Sequence, residues 1–259
     1  MSTATQHRLP VYDHRSGAGP TLVFLHYWGG SALTWEPVIT RLPARSTLSI
    51  DFRGWSRSSD LPGPYTLDQL AQDTLGIIQA AGLTDYVLVG HSMGGKVAQL
   101  VAATHPKGLA GLVLVGPGPA RPTAEITPEY QADLSHAYDS DETVAGARDN
   151  ILTATTLTGE LKAQVVSDSR FSAPDAHTEW PLRGIAQDIT SQARAIDVPV
   201  LVVAGEHDKV EPIEALRQNL LPYLDNAQFA VIAATGHLIP LEAPDGLTET
   251  ILAFTPPAE

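Results

Sequence analysis

The sequence predicts an α/β protein in which a doubly wound, mostly parallel β-sheet carries an inserted helical cap. Short runs of β-branched and apolar residues alternate with segments of helical composition through the first 115 residues. The alternation then stops for about 80 residues, far more than one crossover helix needs, and resumes at Val198–Ala204. Because strands that alternate with helices pair in parallel, the interruption indicates an insertion into a single sheet.

The strands are predicted from apolar runs bounded by turn residues. Residues 7–13 are predicted to form an edge strand that Ser16–Pro20 ends. Further strands are predicted at residues 21–26, 46–51, 87–89, 109–115, 198–204 and 227–233.

The helices between these strands are predicted from capping residues and helical composition. Ser31 is a candidate cap for the first helix. Thr66 and Gln69 resemble a capping box for a second helix, which Gly82 stops. A third helix is predicted from Lys96 onward, and a last one closes the chain.

The long interval is predicted to be a helical cap over residues 119–190, which leaves residues 1–118 and 191–259 as the core. Apolar residues recur within it at spacings of four, as in Tyr130 and Leu134. An alternative interpretation is a second small domain with an unrelated role.

Composition excludes several classes of function. The 259 residues are 43% hydrophobic and can bury one large core. No cysteine is present, which excludes disulfides, thiolate catalysis and cysteine-ligated metal. A formal charge of −13 argues against a nucleic-acid or anionic-membrane partner. Without a run of 18 apolar residues or a leader-like apolar region, a cytoplasmic location is expected.

A strand-to-helix turn around Ser92 is the strongest chemical signal. The sequence runs from an apolar strand into Gly90-His-Ser-Met-Gly94 and then into a helix. A serine on so abrupt a turn projects its hydroxyl off the sheet, at a helix N-terminus that stabilises negative charge. We expect Gly90 and Gly94 to be required there, because a Cβ at either place would meet a neighbouring strand or helix.

Four motifs in this order resemble those of the α/β-hydrolases across nearly the whole chain. They are His26 with the glycines after the first core strand, Gly90-His-Ser-Met-Gly94, Gly205-Glu-His-Asp208 and Gly236-His237. The resemblance implies the α/β-hydrolase fold and its serine-nucleophile branch, which includes esterases, lactonases and perhydrolases. It implies no cofactor and no metal.

The same resemblance implies a catalytic triad. Ser92 corresponds to the nucleophile, which needs a base to remove its proton. His237 corresponds to that base, because an imidazole can accept the proton and return it to the leaving group. Asp208 corresponds to the acid that orients the imidazole. Glu206 and Glu211 lie close enough in sequence to compete with Asp208, although the family pattern favours Asp208.

The oxyanion donors and the substrate contacts are predicted from the loop after the first core strand. The family uses the N–H after the nucleophile, here Met93, and an N–H of that loop, here Trp28. Tyr27 stands where the family usually has glycine, so either Tyr27 or Trp28 could supply the second donor. Tyr27, Trp28 and Trp180 are the candidate substrate-binding residues.

The chemistry that remains is hydrolysis of a small carboxylic ester or lactone through an acyl-enzyme on Ser92. His91 and Leu238 occupy places where carbon–carbon bond hydrolases usually carry asparagine and tryptophan. Gly29 replaces a proline that is common in cofactor-free perhydrolases, formerly called haloperoxidases. Both activities stay as alternatives, and an alternative of another class is a ligand-binding receptor with vestigial hydrolysis.

Overall fold

One seven-stranded sheet forms the centre of the molecule, in a computed structural model that describes residues 8–42 and 44–255. The strands are β1 Tyr12–Arg15, β2 Ala18–Leu25, β3 Arg45–Ile50, β4 Tyr86–His91, β5 Leu109–Val115, β6 Val200–Gly205 and β7 Ala227–Ile232. Their order is β1-β3-β2-β4-β5-β6-β7. The β1–β3 pair is antiparallel and all other neighbours are parallel. The predicted doubly wound, mostly parallel sheet is therefore confirmed.

The amino-terminal edge strand is shifted from its predicted place. The bounds 7–13 are wrong, since β1 covers Tyr12–Arg15, and residue 7 lies outside the described residues. The next strand begins at Ala18, within the segment predicted to break the chain. Gly19 has a φ of +69°, and the pairing with β3 shifts register between Ala18 and Leu22. The glycine therefore bends this strand and does not end it.

Helices cover both faces of the sheet. The α-helices are α1 Glu36–Ile39, α2 Leu67–Ala80, α3 Met93–Ala102, α4 Pro128–Ser135, α5 Asp141–Ala147, α6 Gly159–Arg170, α7 Pro174–Glu179, α8 Thr190–Ala193, α9 Ile213–Asn219, α10 Ile239–Glu242 and α11 Pro244–Phe254. Shorter 3₁₀ helices lie at Ala32–Trp35, Ser56–Ser58 and Leu221–Tyr223, and π-helical turns lie at Arg148–Leu152 and Trp180–Gly184.

The predicted capping residues begin their helices, with one difference in detail. Ser31 caps the first 3₁₀ helix and accepts a hydrogen bond from the Leu33 N–H. Thr66 caps α2, where its hydroxyl accepts from the Gln69 N–H at 3.3 Å. The Gln69 side chain does not return the bond, because it donates to Asp73 at 3.1 Å.

Alternating strand residues divide the apolar core into two layers. In β4, Leu88 belongs to the layer covered by α2 and α3, whereas Val87 and Val89 belong to the layer covered by α1 and α11. Both faces of the strand are buried, as expected for a parallel sheet between helices. The carboxyl ends of β4 and β6 are thereby held at a common edge.

Residues 119–190, which we call the helical insertion, contain α4 to α7 and both π-helical turns. Buried side chains of the insertion, such as Tyr138, Val144 and Val165, join the same apolar layer as α2 and α3. Because the insertion shares that layer, its bounds as a separate cap remain a prediction.

Candidate active site

Ser92 lies on the sharp turn between β4 and α3. Its φ of +54° and ψ of −117° are costly for a residue with a Cβ. A Cβ on Gly90 would lie 2.4 Å from the Gly94 carbonyl oxygen, and one on Gly94 would lie 2.5 Å from that of His26. These close approaches require glycine at both places, as the sequence predicts.

The Ser92 side chain is buried against a cavity and not bonded to the helix that follows. It makes no capping hydrogen bond to α3, although Ser92 is the residue before that helix. The wall of the cavity contains both Ser92 and His237. The Ser92 carbonyl accepts hydrogen bonds from the N–H groups of Gly95 and Gly118, at 2.9 and 3.0 Å. The backbone is thus fixed while the hydroxyl is presented to the cavity.

Asp208 and His237 form a buried pair at the ends of the loops after β6 and β7. Their Oδ2 and Nδ1 atoms lie 2.8 Å apart, and their side chains are 0% and 2% exposed. Burial alone would raise the pKa of Asp208. The charge and the hydrogen bond of His237 lower this pKa below its usual value. Hydrogen bonds from the Val210 and Glu211 N–H groups lower it further. An ionised Asp208 accepts the Nδ1–H, which leaves Nε2 of His237 with its lone pair.

The loop that carries His237 is bound to the helical insertion. The carbonyl of Leu152 accepts hydrogen bonds from the His237 and Leu238 N–H groups, at 2.8 and 3.0 Å. Leu152 ends a π-helical turn, a feature often found at functional sites. The insertion therefore supports the imidazole as well as covering it.

Glu242 joins the same two segments through its carboxylate. Oε1 accepts from the Gly236 N–H at 2.9 Å. Oε2 accepts from the N–H groups of Ala154 and Thr155, at 2.8 and 2.9 Å, and from the Thr155 hydroxyl at 3.0 Å. One carboxylate therefore fixes the residue before His237 and the loop after Leu152.

Two further histidines are buried in neutral form beneath the site. His91 Nε2 donates to the His237 carbonyl at 2.8 Å, and burial, followed by the charge of His237, lowers the pKa of His91 to about 3. His26 Nδ1 donates to the Tyr27 carbonyl at 2.6 Å, while its Nε2 accepts from the Phe52 N–H. Burial lowers the pKa of His26 to about 4. Both side chains form hydrogen bonds to backbone groups, and neither lines the cavity.

In the predicted oxyanion loop, the carbonyls of Tyr27 and Trp28 accept hydrogen bonds, whereas their N–H groups donate none within the described residues. The Tyr27 carbonyl accepts from Gly30 N–H at 3.0 Å, and the Trp28 carbonyl accepts from the Trp55 indole at 2.6 Å. Within the described residues, the N–H groups of Tyr27, Trp28 and Met93 have no hydrogen-bond acceptor. Donors without a partner beside a serine can stabilise an oxyanion.

The cavity has a volume of about 260 Å³ and is mostly apolar. Nine of the lining residues belong to the helical insertion and six belong to the core. The lining residues are Tyr27, Trp28, Ser92, Tyr130, Leu134, Ala137, Tyr138, Ala147, Ile151, Leu152, Trp180, Ile185, Val210, Glu211 and His237.

Trp28 connects the core side of the cavity to the insertion side. Its ring stacks on Tyr138 with centroids 4.2 Å apart and planes at 24°. Its indole N–H donates to the His177 carbonyl at 2.9 Å. Tyr27 also lines the cavity, while its ring packs against Gly30, where a Cβ would lie 2.6 Å from the ring.

The structure brings the predicted site residues together. Ser92, His237, Tyr27, Trp28 and Trp180 line one cavity, with Asp208 bonded behind His237 and Met93 starting α3.

Sequence reasoning missed two contributors to the site. Leu152 lies in the insertion, where no local motif marks which side chains reach the cavity. Glu211 entered only as a competitor of Asp208, and its carboxyl instead lines the cavity. Its place on a loop after a sheet strand was an available signal, because ligands bind at that edge of such sheets.

No cluster of three or more histidine, aspartate or glutamate side chains that could hold a metal ion occurs within residues 8–42 and 44–255. Over the same residues, no helix has the length and apolar character needed to cross a membrane.

Comparison with known proteins supports the architecture described above. Residues 20–244 match the model of the alpha/beta hydrolase fold family. A Caulobacter segnis protein described as a proposed carbamate hydrolase, RutD, is 30% identical over 87% of each chain. A non-heme haloperoxidase of Rhodococcus erythropolis is 27% identical over 92% of this chain and 93% of its own. An esterase of Exiguobacterium antarcticum superposes with a TM-score of 0.86 over 94% of each chain, at 22% identity.

Proposed function

Because the chain belongs to the α/β-hydrolase family, we propose that it is a serine hydrolase that cleaves a small carboxylic ester or lactone. The observation that carries the proposal is the buried Asp208–His237 pair, whose imidazole shares one cavity with Ser92, a serine with no side-chain hydrogen bond within the described residues. A nucleophile, a base and an orienting acid on one sheet edge are the parts that acyl transfer requires.

In the first step, Ser92 Oγ attacks the substrate carbonyl while His237 Nε2 takes the hydroxyl proton. Asp208 holds the imidazole by its Nδ1–H and stabilises the positive charge that forms. The N–H groups of Met93 and Trp28 bind the developing oxyanion, each contributing about 3 kcal/mol. The imidazolium then gives its proton to the departing alkoxide.

In the second step, His237 removes a proton from water, which attacks the acyl group on Ser92. The same oxyanion donors act again, and the carboxylic acid leaves as the serine hydroxyl is restored. The mostly apolar cavity suits a small acyl or alcohol group and limits the access of water.

The alternative reactions receive less support from the geometry. Perhydrolases commonly carry proline at the place of Gly29, but a Cβ there would lie 2.6 Å from Ser169 Oγ and 2.7 Å from the Tyr138 ring. Leu238, where carbon–carbon bond hydrolases carry tryptophan, is buried away from the cavity wall. A receptor with vestigial hydrolysis would bind the same ligands with turnover too slow to measure.

The test is a panel of short esters, lactones, thioesters and carbamates assayed with the wild type, Ser92→Ala and Ser191→Ala. We expect the Ser92→Ala variant to lose about 10⁴-fold or more in kcat/KM on the best substrate. The exposed Ser191→Ala control should retain full activity.

A fluorophosphonate probe should add one covalent group to Ser92, located by mass spectrometry, and none to the Ser92→Ala variant. Equal ester hydrolysis by both proteins would contradict the proposal. Peracid formation on addition of peroxide at a rate above ester hydrolysis would favour the perhydrolase.

A further inference from the structure

Glu211 is a buried carboxyl in the cavity that the proposed reaction does not use. The residue is 6% exposed and lies in the cavity wall with Ser92 and His237. Its backbone N–H is bonded to Asp208, but within the described residues its carboxyl has no hydrogen bond or ion pair. A buried carboxyl with no partner in the protein is costly, so its retention in a ligand cavity indicates a partner in the ligand.

The surroundings of Glu211 favour its neutral form. Burial raises the pKa of Glu211 far above its usual range, and repulsion from the Asp208 carboxylate raises it further. Lys96 opposes this shift, but it is buried and donates to the Ile185 carbonyl at 3.3 Å. Lys96 is outside the cavity wall and makes no direct contact with the cavity.

The rest of the cavity offers nothing that would bind a charged substrate. Its lining includes no lysine or arginine. Arg121, Arg148, Arg170 and Arg183 of the insertion are all absent from the wall. Apart from Ser92, His237 and Glu211, the polar atoms of the lining side chains are tyrosine hydroxyls and indole N–H groups.

A neutral carboxyl has one donor and a carbonyl acceptor, and an alcohol group complements both. We propose that Glu211 is a substrate-recognition residue whose carboxyl hydrogen-bonds a hydroxyl group of an uncharged hydroxy ester. The inference rests on the proposed ester hydrolysis and names its substrate class. An anionic ester would find no lysine or arginine in the same cavity wall.

The test compares two matched pairs of esters that differ by one hydroxyl. The acyl pair is 4-nitrophenyl 3-hydroxybutyrate and 4-nitrophenyl butyrate. The alcohol pair is 3-hydroxypropyl butyrate and propyl butyrate. We expect kcat/KM to be about tenfold or more higher for the hydroxylated member of at least one pair, because a site built to bond a hydroxyl discriminates against its absence. The pair that responds shows which side of the ester carries the group.

Two variants of Glu211 separate its hydrogen bond from its bulk. The ratio to measure is kcat/KM for the hydroxylated ester divided by kcat/KM for its plain partner. Glu211→Leu should bring this ratio close to one. Glu211→Gln should preserve most of it, because an amide also donates and accepts hydrogen bonds. Glu214→Leu, on the exposed side of the same region, is the control and should keep the wild-type ratio. Circular dichroism and thermal unfolding verify that each variant is folded.

Three results would overturn the inference. One is a ratio near one in both pairs with the wild type, and another is a ratio that Glu211→Leu leaves unchanged. The third is preference for a 3-aminobutyrate ester that Glu211→Gln abolishes, which would indicate an ion pair.

A binding measurement separates this inference from the proposed reaction. Calorimetry with the Ser92→Ala protein compares ethyl 3-hydroxybutyrate with ethyl butyrate, and repeats both in Ser92→Ala/Glu211→Leu. A tenfold tighter binding of the hydroxy ester that requires Glu211 would uphold recognition even if no ester were hydrolysed. If the hydroxy ester bound with the same affinity to both proteins, recognition by Glu211 would be overturned even if hydrolysis were observed.

Discussion

The turn around Ser92 and the helical insertion serve the same cavity but are built in different ways. Every residue from Tyr86 to Ala102 is buried, and the turn allows no side chain at Gly90 or Gly94. The insertion consists of short helices and π-helical turns, and Tyr130 and Ile151 are 41% and 47% exposed while still lining the cavity. Tight backbone packing fixes the position of the candidate nucleophile Ser92. Side chains of the insertion form most of the wall of the cavity that Ser92 faces.

The largest expected contrast is between glycines of the two regions. Gly94→Ala would place a Cβ 2.5 Å from the His26 and Leu25 carbonyl oxygens, so we expect the free energy of unfolding to fall by about 3 kcal/mol or more. Gly146→Ala in α5 meets nothing within 4 Å and should stabilise the protein by up to about 1 kcal/mol. Urea unfolding of both variants measures the difference. Similar values would show that the two regions are packed alike.

A second contrast concerns pH and the histidines beneath the site. His91 is held neutral, with its pKa lowered by burial to about 3, whereas the unfolded chain takes up this proton near pH 6.5. The stabilisation is complete above pH 6.5 and is lost as the pH falls from 6.5 towards 3. Between pH 6.5 and 5 this histidine alone should remove about 2 kcal/mol from the free energy of unfolding.

His91→Asn should remove that part of the pH dependence, as measured by urea unfolding at pH 7 and pH 5. His26, with a pKa lowered by burial to about 4, should contribute in the same direction. His136→Asn in the insertion is the matched control, because its side chain is 74% exposed. If the free energy of unfolding of His91→Asn fell between pH 7 and pH 5 as much as that of the wild type, a buried neutral His91 would not be the cause of the pH dependence.

The smallest expected effect is at the contact between the insertion and the loop that carries His237. Glu242→Gln replaces a carboxylate that accepts four hydrogen bonds with an amide that has one acceptor oxygen. We expect a loss of about 1–2 kcal/mol of stability and a fall in kcat that exceeds any change in KM, because the His237 loop is loosened. Glu249→Gln, in α11, serves as the control. A normal kcat in Glu242→Gln would mean that the base needs no such support.

Local sequence patterns were sufficient for the sheet and for the turn at Ser92. Runs such as Val87–Val89 and the flanking glycines act on neighbouring residues, so their consequences can be read along the chain. The edge strand was misplaced because Gly19 bends a strand that its sequence suggests it should end. Turn residues indicate a change of direction, but pairing with β3 decides whether the strand continues.

The cavity wall was harder to predict because it depends on contacts between distant residues. Trp28 meets Tyr138 across 110 positions of sequence, and no periodicity in either segment indicates this pair. Glu211 likewise lines the cavity, and its N–H donates to Asp208, an interaction that exists only once the loop is folded. From residue type alone, Glu211 could be considered only as a competitor of Asp208 for the role of orienting acid.

The Leu152 carbonyl, shared by the N–H groups of His237 and Leu238, limits how the insertion can be exchanged between relatives. A chimaera that replaced residues 119–190 as a block would change the pocket wall and also remove a support of the imidazole. Retaining residues 148–155 from this chain would keep that support, together with the Glu242 contacts, while α4, α6 and α7 were replaced. Because Ile151 and Leu152 also line the cavity, the retained segment would keep part of the pocket wall along with the support of His237.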